Sequence, residues 1–126
     1  MPRTKITMLE GKSAEYKKLI YQSIYLAMRE TFNVPEDDQF MSIEEKKREN
    51  ICYSKSYLNI PRTDELLLIE IVVNYTRTIA QKKSLYVQIA HNLVQNIKIR
   101  PEDVFINLIE VRKENWSFGH GIAQYA

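Results

Sequence analysis

One cysteine, Cys52, in a chain of 126 residues leaves no partner for an intrachain disulfide and no thiolate cluster for a metal. Nothing in the sequence marks Cys52 as an activated thiol, so it reads as inert. Glycine is equally sparse. Three in the whole chain, with no glycine-rich loop, zinc-ligand spacing or nucleophile elbow, argue against a nucleotide cradle, a structural zinc or a hydrolase serine. Charge of one sign is lacking too: 18 basic and 16 acidic residues are mixed along the chain, for a net charge of +2. Nothing resembles a basic stripe for nucleic acid, and no charge excess calls for a membrane surface. No apolar run approaches the roughly 18–20 residues of a membrane span, and no N-terminal stretch resembles a signal peptide. A cytoplasmic protein is the default expectation.

What is present is an ordinary globular composition, 44% apolar and 27% charged, of a size for one domain over residues 1–126. The chain repeats itself. Val34-Pro35-Glu36-Asp37-Asp38-Gln39-Phe40 recurs as Arg100-Pro101-Glu102-Asp103-Val104-Phe105, with the two prolines 66 residues apart. Moving the same distance from Pro2 lands on Leu68, inside the most strand-like run of the chain, Leu66 to Val73. The first strand is expected over Arg3 to Leu9. A helix should follow from the cap Ser13 to about Phe32, with Ile20, Ile24, Ala27, Met28 and Phe32 on its buried face. A second helix should open on the capping-box pattern Thr78-Ile79-Ala80-Gln81 and bury Leu85, Ile89, Leu93 and Ile97. Pro35 and Pro101 are expected to end the helices, and Val104 to Val111 reads as a further strand. Glu44-Glu45-Lys46-Lys47-Arg48 is expected as a solvated loop or short helix, with Ile51 to Ile60 as a hairpin or the matching strand.

A β-α-β crossover makes its two strands parallel and puts its helix on one face of the sheet. The expected fold is therefore α+β: duplicated β-α-β halves forming a four-stranded mixed sheet with two helices on one face. The run Leu66 to Val73 should be its central strand. The uncovered face and the strand edges call for an oligomer.

Candidate chemistry gathers at a few positions. Once Met1 is removed, Pro2 carries a secondary amine that is conformationally fixed at the start of a strand. Burial against apolar walls disfavours its cationic form and leaves a free base near neutral pH. Arg77 nearby would push the same way, and a carboxylate the opposite way, so Pro2 can serve as base or as acid. A bland proline at position two is the competing reading. Arg77 precedes the cap of the second helix, where free backbone N–H groups help to make an anion site; otherwise it is a surface arginine. Asp38 belongs to an acidic pair after a proline, which by itself is a solvated turn former. The tail Asn115-Trp116-Ser117-Phe118-Gly119-His120-Gly121 holds the only tryptophan and two of the three glycines. Its aromatic rings are either an aromatic plug or pocket walls. His91 and His120 read as structural or surface residues.

Pro2, Leu9-Glu10-Gly11, the Val34-Pro35 turn with Asp38, the region Val72 to Gln81, Pro101-Glu102-Asp103-Val104, and the Trp-Ser-Phe-Gly-x-Gly tail together resemble the tautomerase superfamily. The resemblance is to its malonate semialdehyde decarboxylase-like branch and covers the whole chain. It implies a homotrimer with a cofactor-free, metal-free site around the N-terminal proline, acting on a small carboxylate. It implies Pro2 as the catalytic amine, Asp38 as the group that positions water or tunes the proline, and Arg77 as a carboxylate-binding arginine. Trp116 and Phe118 match aromatic residues that wall the pocket. The branch has two arginines flanking one residue where this chain reads Tyr75-Thr76-Arg77, and an arginine between the glycines where it reads His120. Tyr75 can donate a hydrogen bond or stack on an aromatic substrate, but one guanidinium clamps a carboxylate less firmly than two. With one arginine in place of two, the expected activity is keto-enol isomerisation of 2-oxo acids such as the enol of phenylpyruvate. The alternatives are a malonate semialdehyde decarboxylase or hydratase and a trimeric member without catalysis.

Overall fold

The structure, a computed structural model, describes residues 2–126; Met1, on whose removal a free Pro2 amine depends, lies outside the described residues. The chain runs β1 (Arg3–Leu9), α1 (Ala14–Phe32), β2 (Met41–Lys46), β3 (Leu67–Asn74), α2 (Ile79–Ile97) and β4 (Val104–Val111). The four strands lie in the order β2-β1-β3-β4. β1 pairs with β2 in parallel, β3 pairs with β4 in parallel, and the two halves join antiparallel through β1 and β3. The expected α+β architecture is the one observed.

The duplication is tightest in the helices. Each has 19 residues. Ser13 accepts a hydrogen bond from the Tyr16 N–H, and Thr78 with Gln81 closes a complete capping box. Both helices end on a left-handed residue, Asn33 (φ 54°) and Lys98 (φ 58°). These residues stop the helices, and Pro35 and Pro101 lie beyond the caps. The prolines therefore shape the turns that follow and do not terminate the helices as the sequence had implied. Asn tolerates the left-handed region through its short polar side chain. Lys98 offsets part of that cost by donating from Nζ to the Gln95 carbonyl at 3.1 Å.

Thr4, Ile6 and Met8 of β1 and Leu67, Ile69, Ile71 and Val73 of β3 point at the helices and are buried. They meet Ile20, Ile24, Ala27, Met28 and Phe32 from α1 and Leu85, Ile89 and Leu93 from α2, with Ile97 packed at the margin. The helices are also tied polar to polar. Asn92 and Asn96 donate to the backbone carbonyl and the hydroxyl of buried Ser23 at 3.0 and 2.9 Å. On the other sheet face Leu68 and Val72 are half-buried, and Phe105 and Ile109 are exposed.

Two local expectations are corrected. The charged run from Glu44 does not form a loop or helix: its first three residues, through Lys46, complete β2, in register with β1 from Thr4↔Met41 to Leu9↔Lys46. Only Met41 and Ile43 of this edge strand pack on the core, so the apolar signal was two residues long, and an edge strand tolerates charge. Ile51 to Ile60 forms neither a hairpin nor a strand. It is an irregular connection with one 3₁₀ turn at Tyr57–Asn59, fastened where Tyr53 donates to Asp64 at 2.6 Å and Arg62 to the Glu102 carbonyl at 2.8 Å. Its end is held by fully buried Asp103, whose carboxylate accepts the Thr63 N–H at 2.7 Å and the Thr63 hydroxyl at 2.6 Å. Asp103→Ala strips both donors of their partner and should lower the unfolding free energy by about 1–3 kcal/mol in urea titration; an unchanged midpoint would mean that this anchor contributes nothing.

Candidate active site

Strand polarity brings the candidate residues to one end of the sheet. β1 begins there, because Arg3 pairs with Val72 two residues before β3 ends at Asn74. Pro2 is buried at that start. The parallel partner β2 also begins there, with the Thr4 N–H donating to the Phe40 carbonyl at 2.9 Å, so the turn bearing Asp38 is adjacent. β4 ends at the same level as β3, Asn74 pairing with Val111, and the Tyr75 N–H donates to the Val111 carbonyl at 2.9 Å. The C-terminus of α1 and the N-terminus of α2 complete this end.

Here an open cavity of about 470 Å³ is lined by Phe32, Asn33, Asn74, Thr76, Arg77, Gln81, Lys113 and Tyr125. Arg77 is its best-held cation. One arm of the guanidinium donates to the Phe32 carbonyl at 2.8 Å and the other to the Thr76 hydroxyl at 3.0 Å. The plane lies over the Phe32 ring, 4.8 Å from its centroid, a cation–π placement that fixes direction as well as position. Burial pulls the Arg77 pKa down, and the nearby Asp38 and Tyr125 oppose that pull; at such an intrinsic pKa the group stays charged. Asp38 is half-buried, and its carboxyl is pushed above the ordinary range, chiefly by burial, with Asp37 adding to the rise and Arg77 opposing it. The two groups are therefore electrostatic neighbours.

The tail leaves β4 through a 3₁₀ turn at Lys113–Asn115 and folds over this end. The Trp116 indole N–H donates to the Asn74 side-chain oxygen at 2.7 Å. Trp116 and Phe118 stack with centroids 5.4 Å apart, and Phe118 meets Tyr125 edge-on at 4.9 Å. Gln124 closes the loop by accepting from the Phe118 N–H at 2.9 Å and donating to the Gly119 carbonyl at 3.0 Å. That curl needs positive φ at Gly119, His120 and Gly121 (148°, 59° and 67°), which explains the two glycines. Among the described residues no group of three or more His, Cys, Asp or Glu could hold a metal ion. A smaller depression of about 210 Å³ at the opposite end of the sheet contains Lys12 and Glu65, which pair at 2.5 Å and leave no free charge for an anion.

Residues 38–119 match the model of a family described as a tautomerase enzyme. A probable tautomerase of Bacillus subtilis (strain 168), YusQ, is 40% identical over 124 residues, 98% of each chain. The chain belongs to the tautomerase family. Among solved structures, FG41 malonate semialdehyde decarboxylase inhibited by 3-bromopropiolate superimposes with a TM-score of 0.90 at 27% identity, over 98% of this chain and 93% of the other. A fused 4-OT described as an asymmetric trimer shares the fold at a TM-score of 0.79 and 17% identity, over 97% and 96%.

As a tautomerase the chain is an enzyme, and its geometry sorts the residues expected to serve it. Pro2, Asp38, Arg77, Trp116 and Phe118 lie at one end of the sheet. Of the residues expected at the site, Arg77 alone lines the cavity; Pro2, Asp38, Trp116 and Phe118 are at this end without lining it, and Tyr75, also at this end, is 75% exposed. His120 is exposed in the tail curl, and Cys52 is exposed near Arg48 and Tyr53. Sequence reasoning missed Asn74, Tyr125, Lys113 and the contacts of Phe32. Asn74 carried a readable signal: it is the polar residue that ends the most apolar run of the tautomerase chain. Tyr125 carried none, since its approach depends on the path of the tail. No helix is long and apolar enough to cross a membrane among the described residues.

Because folding raises the Asp38 pKa, the folded state keeps this proton to higher pH than the unfolded chain does. The stability associated with it is fully present below the unfolded carboxyl value and is lost as pH rises through the folded one. Asp38→Asn should therefore gain stability relative to the wild type across that acidic window and hold the gain at neutral pH. Thermal melts at stepped pH check this; a gain that grows as pH falls would reverse the assignment.

Proposed function

We propose that this tautomerase family member is a cofactor-independent keto-enol isomerase of 2-oxo acids, such as the enol of phenylpyruvate, with the Pro2 amine as proton shuttle. The observation that carries the reading is the pre-anchored Arg77 at the sheet end where Pro2 is buried. Hydrogen bonds to the Phe32 carbonyl and Thr76 hydroxyl take one N–H from each terminal nitrogen of the guanidinium, which leaves three of its five donors for a carboxylate. Holding the carboxylate fixes the adjacent carbons relative to the amine, and positioned proton transfer of this kind typically accelerates a reaction by about 10²–10⁴-fold. Asp38 tunes the charge around Pro2 and Arg77. Trp116 and Phe118 supply an apolar wall, and Tyr75 reaches substrate where subunits meet. The half-apolar sheet face bearing Leu68, Val72, Phe105 and Ile109 supports a homotrimer, as does the shared fold with a trimeric 4-OT. No nucleic acid, membrane or cofactor enters this reading.

A second reading is favoured by the match to malonate semialdehyde decarboxylase: decarboxylation or hydration of a three-carbon oxo acid, with Pro2 as acid and Asp38 activating water. Burial raises the Asp38 pKa, which makes its carboxylate a stronger base toward water than an exposed aspartate.

Ketonisation of phenylenolpyruvate by Met1-free protein of verified mass should fall at least about 10²-fold in Pro2→Ala while the assembly stays intact. Equal rates would remove Pro2 from the chemistry and overturn this reading. Arg77→Gln should lower kcat/KM by about 10–10²-fold, since it removes a charge-assisted hydrogen-bond pair; an effect below threefold would contradict carboxylate binding there. Tyr75→Arg should raise malonate semialdehyde decarboxylation if a second guanidinium is what the decarboxylase reaction lacks, and no gain would count against that logic.

A further inference from the structure

Asn74 ends the central strand with 6% of its surface exposed, a costly place for a carboxamide unless its polar atoms have work to do. A carboxamide carries one accepting oxygen and an amino group with two donors, whereas an indole N–H can only donate. The Trp116 N–H at 2.7 Å therefore decides which way round the Asn74 amide lies. Its oxygen must face the indole, and its amino group must face the other way. Among the described residues no hydrogen bond from that amino group is made, and Asn74 lines the cavity together with Thr76 and Arg77. The result is an oriented, neutral donor that opens on the cavity beside an anchored cation.

We infer that Asn74 is a further catalytic residue whose amino group donates to the 2-oxygen of a 2-oxo acid held by its carboxylate on Arg77; this rests on the isomerase reading above. In ketonisation the enol O–H bond breaks and the oxygen forms the C=O bond. The former C=C electron pair takes up a proton at C3. One proton leaves oxygen and one arrives at carbon, so the step balances as an isomerisation, and Asn74 neither gives nor takes a proton. Its task is to meet the negative charge that develops on the oxygen. A donor fixed before the reaction does this without reorganisation. The same bond makes the site prefer acids bearing a 2-oxygen to those without one.

The test compares Asn74→Asp and Asn74→Leu with the wild type in phenylenolpyruvate ketonisation. Calorimetric affinities for phenylpyruvate and for 3-phenylpropanoate, which lacks the 2-oxygen, are measured on the same proteins. Asn74→Asp keeps an acceptor for Trp116 but has no amino group, so it separates donation from anchoring of the tail. Both variants should lose about 10²–10³-fold in kcat, the usual cost of one such donor. Asn74→Leu should bind 3-phenylpropanoate within threefold of the wild type while losing the preference for phenylpyruvate. Either variant retaining kcat within threefold overturns the inference. So does a loss of 3-phenylpropanoate affinity in Asn74→Leu as large as the loss of phenylpyruvate affinity, since Asn74 would then only shape the cavity. The affinity comparison needs no turnover, so it judges Asn74 even if Pro2→Ala proves fully active and the isomerase reading fails.

Discussion

The antiparallel pairing of β1 with β3 is the constraint on which the rest depends. Each β-α-β half by itself is a parallel pair under a helix, with its strand starts at one end and its strand ends at the other. Joining the halves antiparallel sets the start of β1 beside the end of β3. It also brings the C-terminus of α1 to the N-terminus of α2. A parallel join would have left Pro2 a full strand length from Arg77. With the observed join, the chain's second residue, the loop after β3, the turn before β2 and the tail after β4 share one end of the sheet. The core enforces the arrangement, because a one-residue slip would turn Ile6, Ile69 and Ile71 away from the helices.

The site this creates uses little machinery. Arg77 is held by main chain and ring before any substrate arrives, so the entropy of fixing a long side chain is spent in folding. The carboxyl of Asp38 and the guanidinium of Arg77 each oppose the other's burial-driven shift. On the proposed reading, the balance between them sets whether the proline amine works as base or acid. The tail acts as a cover made of aromatic rings, keyed to β3 by the hydrogen bond from Trp116 to Asn74. Proton transfer at a carbon next to a carbonyl needs little more than a positioned base, a carboxylate anchor and a donor for the developing charge.

The parts of the fold legible in the sequence were those with redundant signals. Ser13 and Thr78 announced the helix starts, the 3.6-residue spacing gave the buried faces, and the repeat exposed the two halves. β2 was missed because an edge strand with two core residues has almost no pattern of its own and exists by virtue of its pairing with β1. The helix stops were misattributed to prolines because a left-handed Lys98 has no signature. At the site, Pro2, Asp38 and Arg77 came from the resemblance together with elementary chemistry, whereas Asn74 and Tyr125 depend on how the tail folds back. Long-range placement of that kind has no local trace.

On the proposed reading, removal of Met1 exposes a Pro2 amine whose burial at the start of β1 keeps it unprotonated. ¹⁵N NMR titration of the Met1-free protein measures this directly on the proline nitrogen. Burial of Pro2 predicts a pKa below that of an N-terminal proline in an unfolded peptide. A value at or above that of the peptide would contradict the account, because the amine would then be a cation at neutral pH and could act only as an acid.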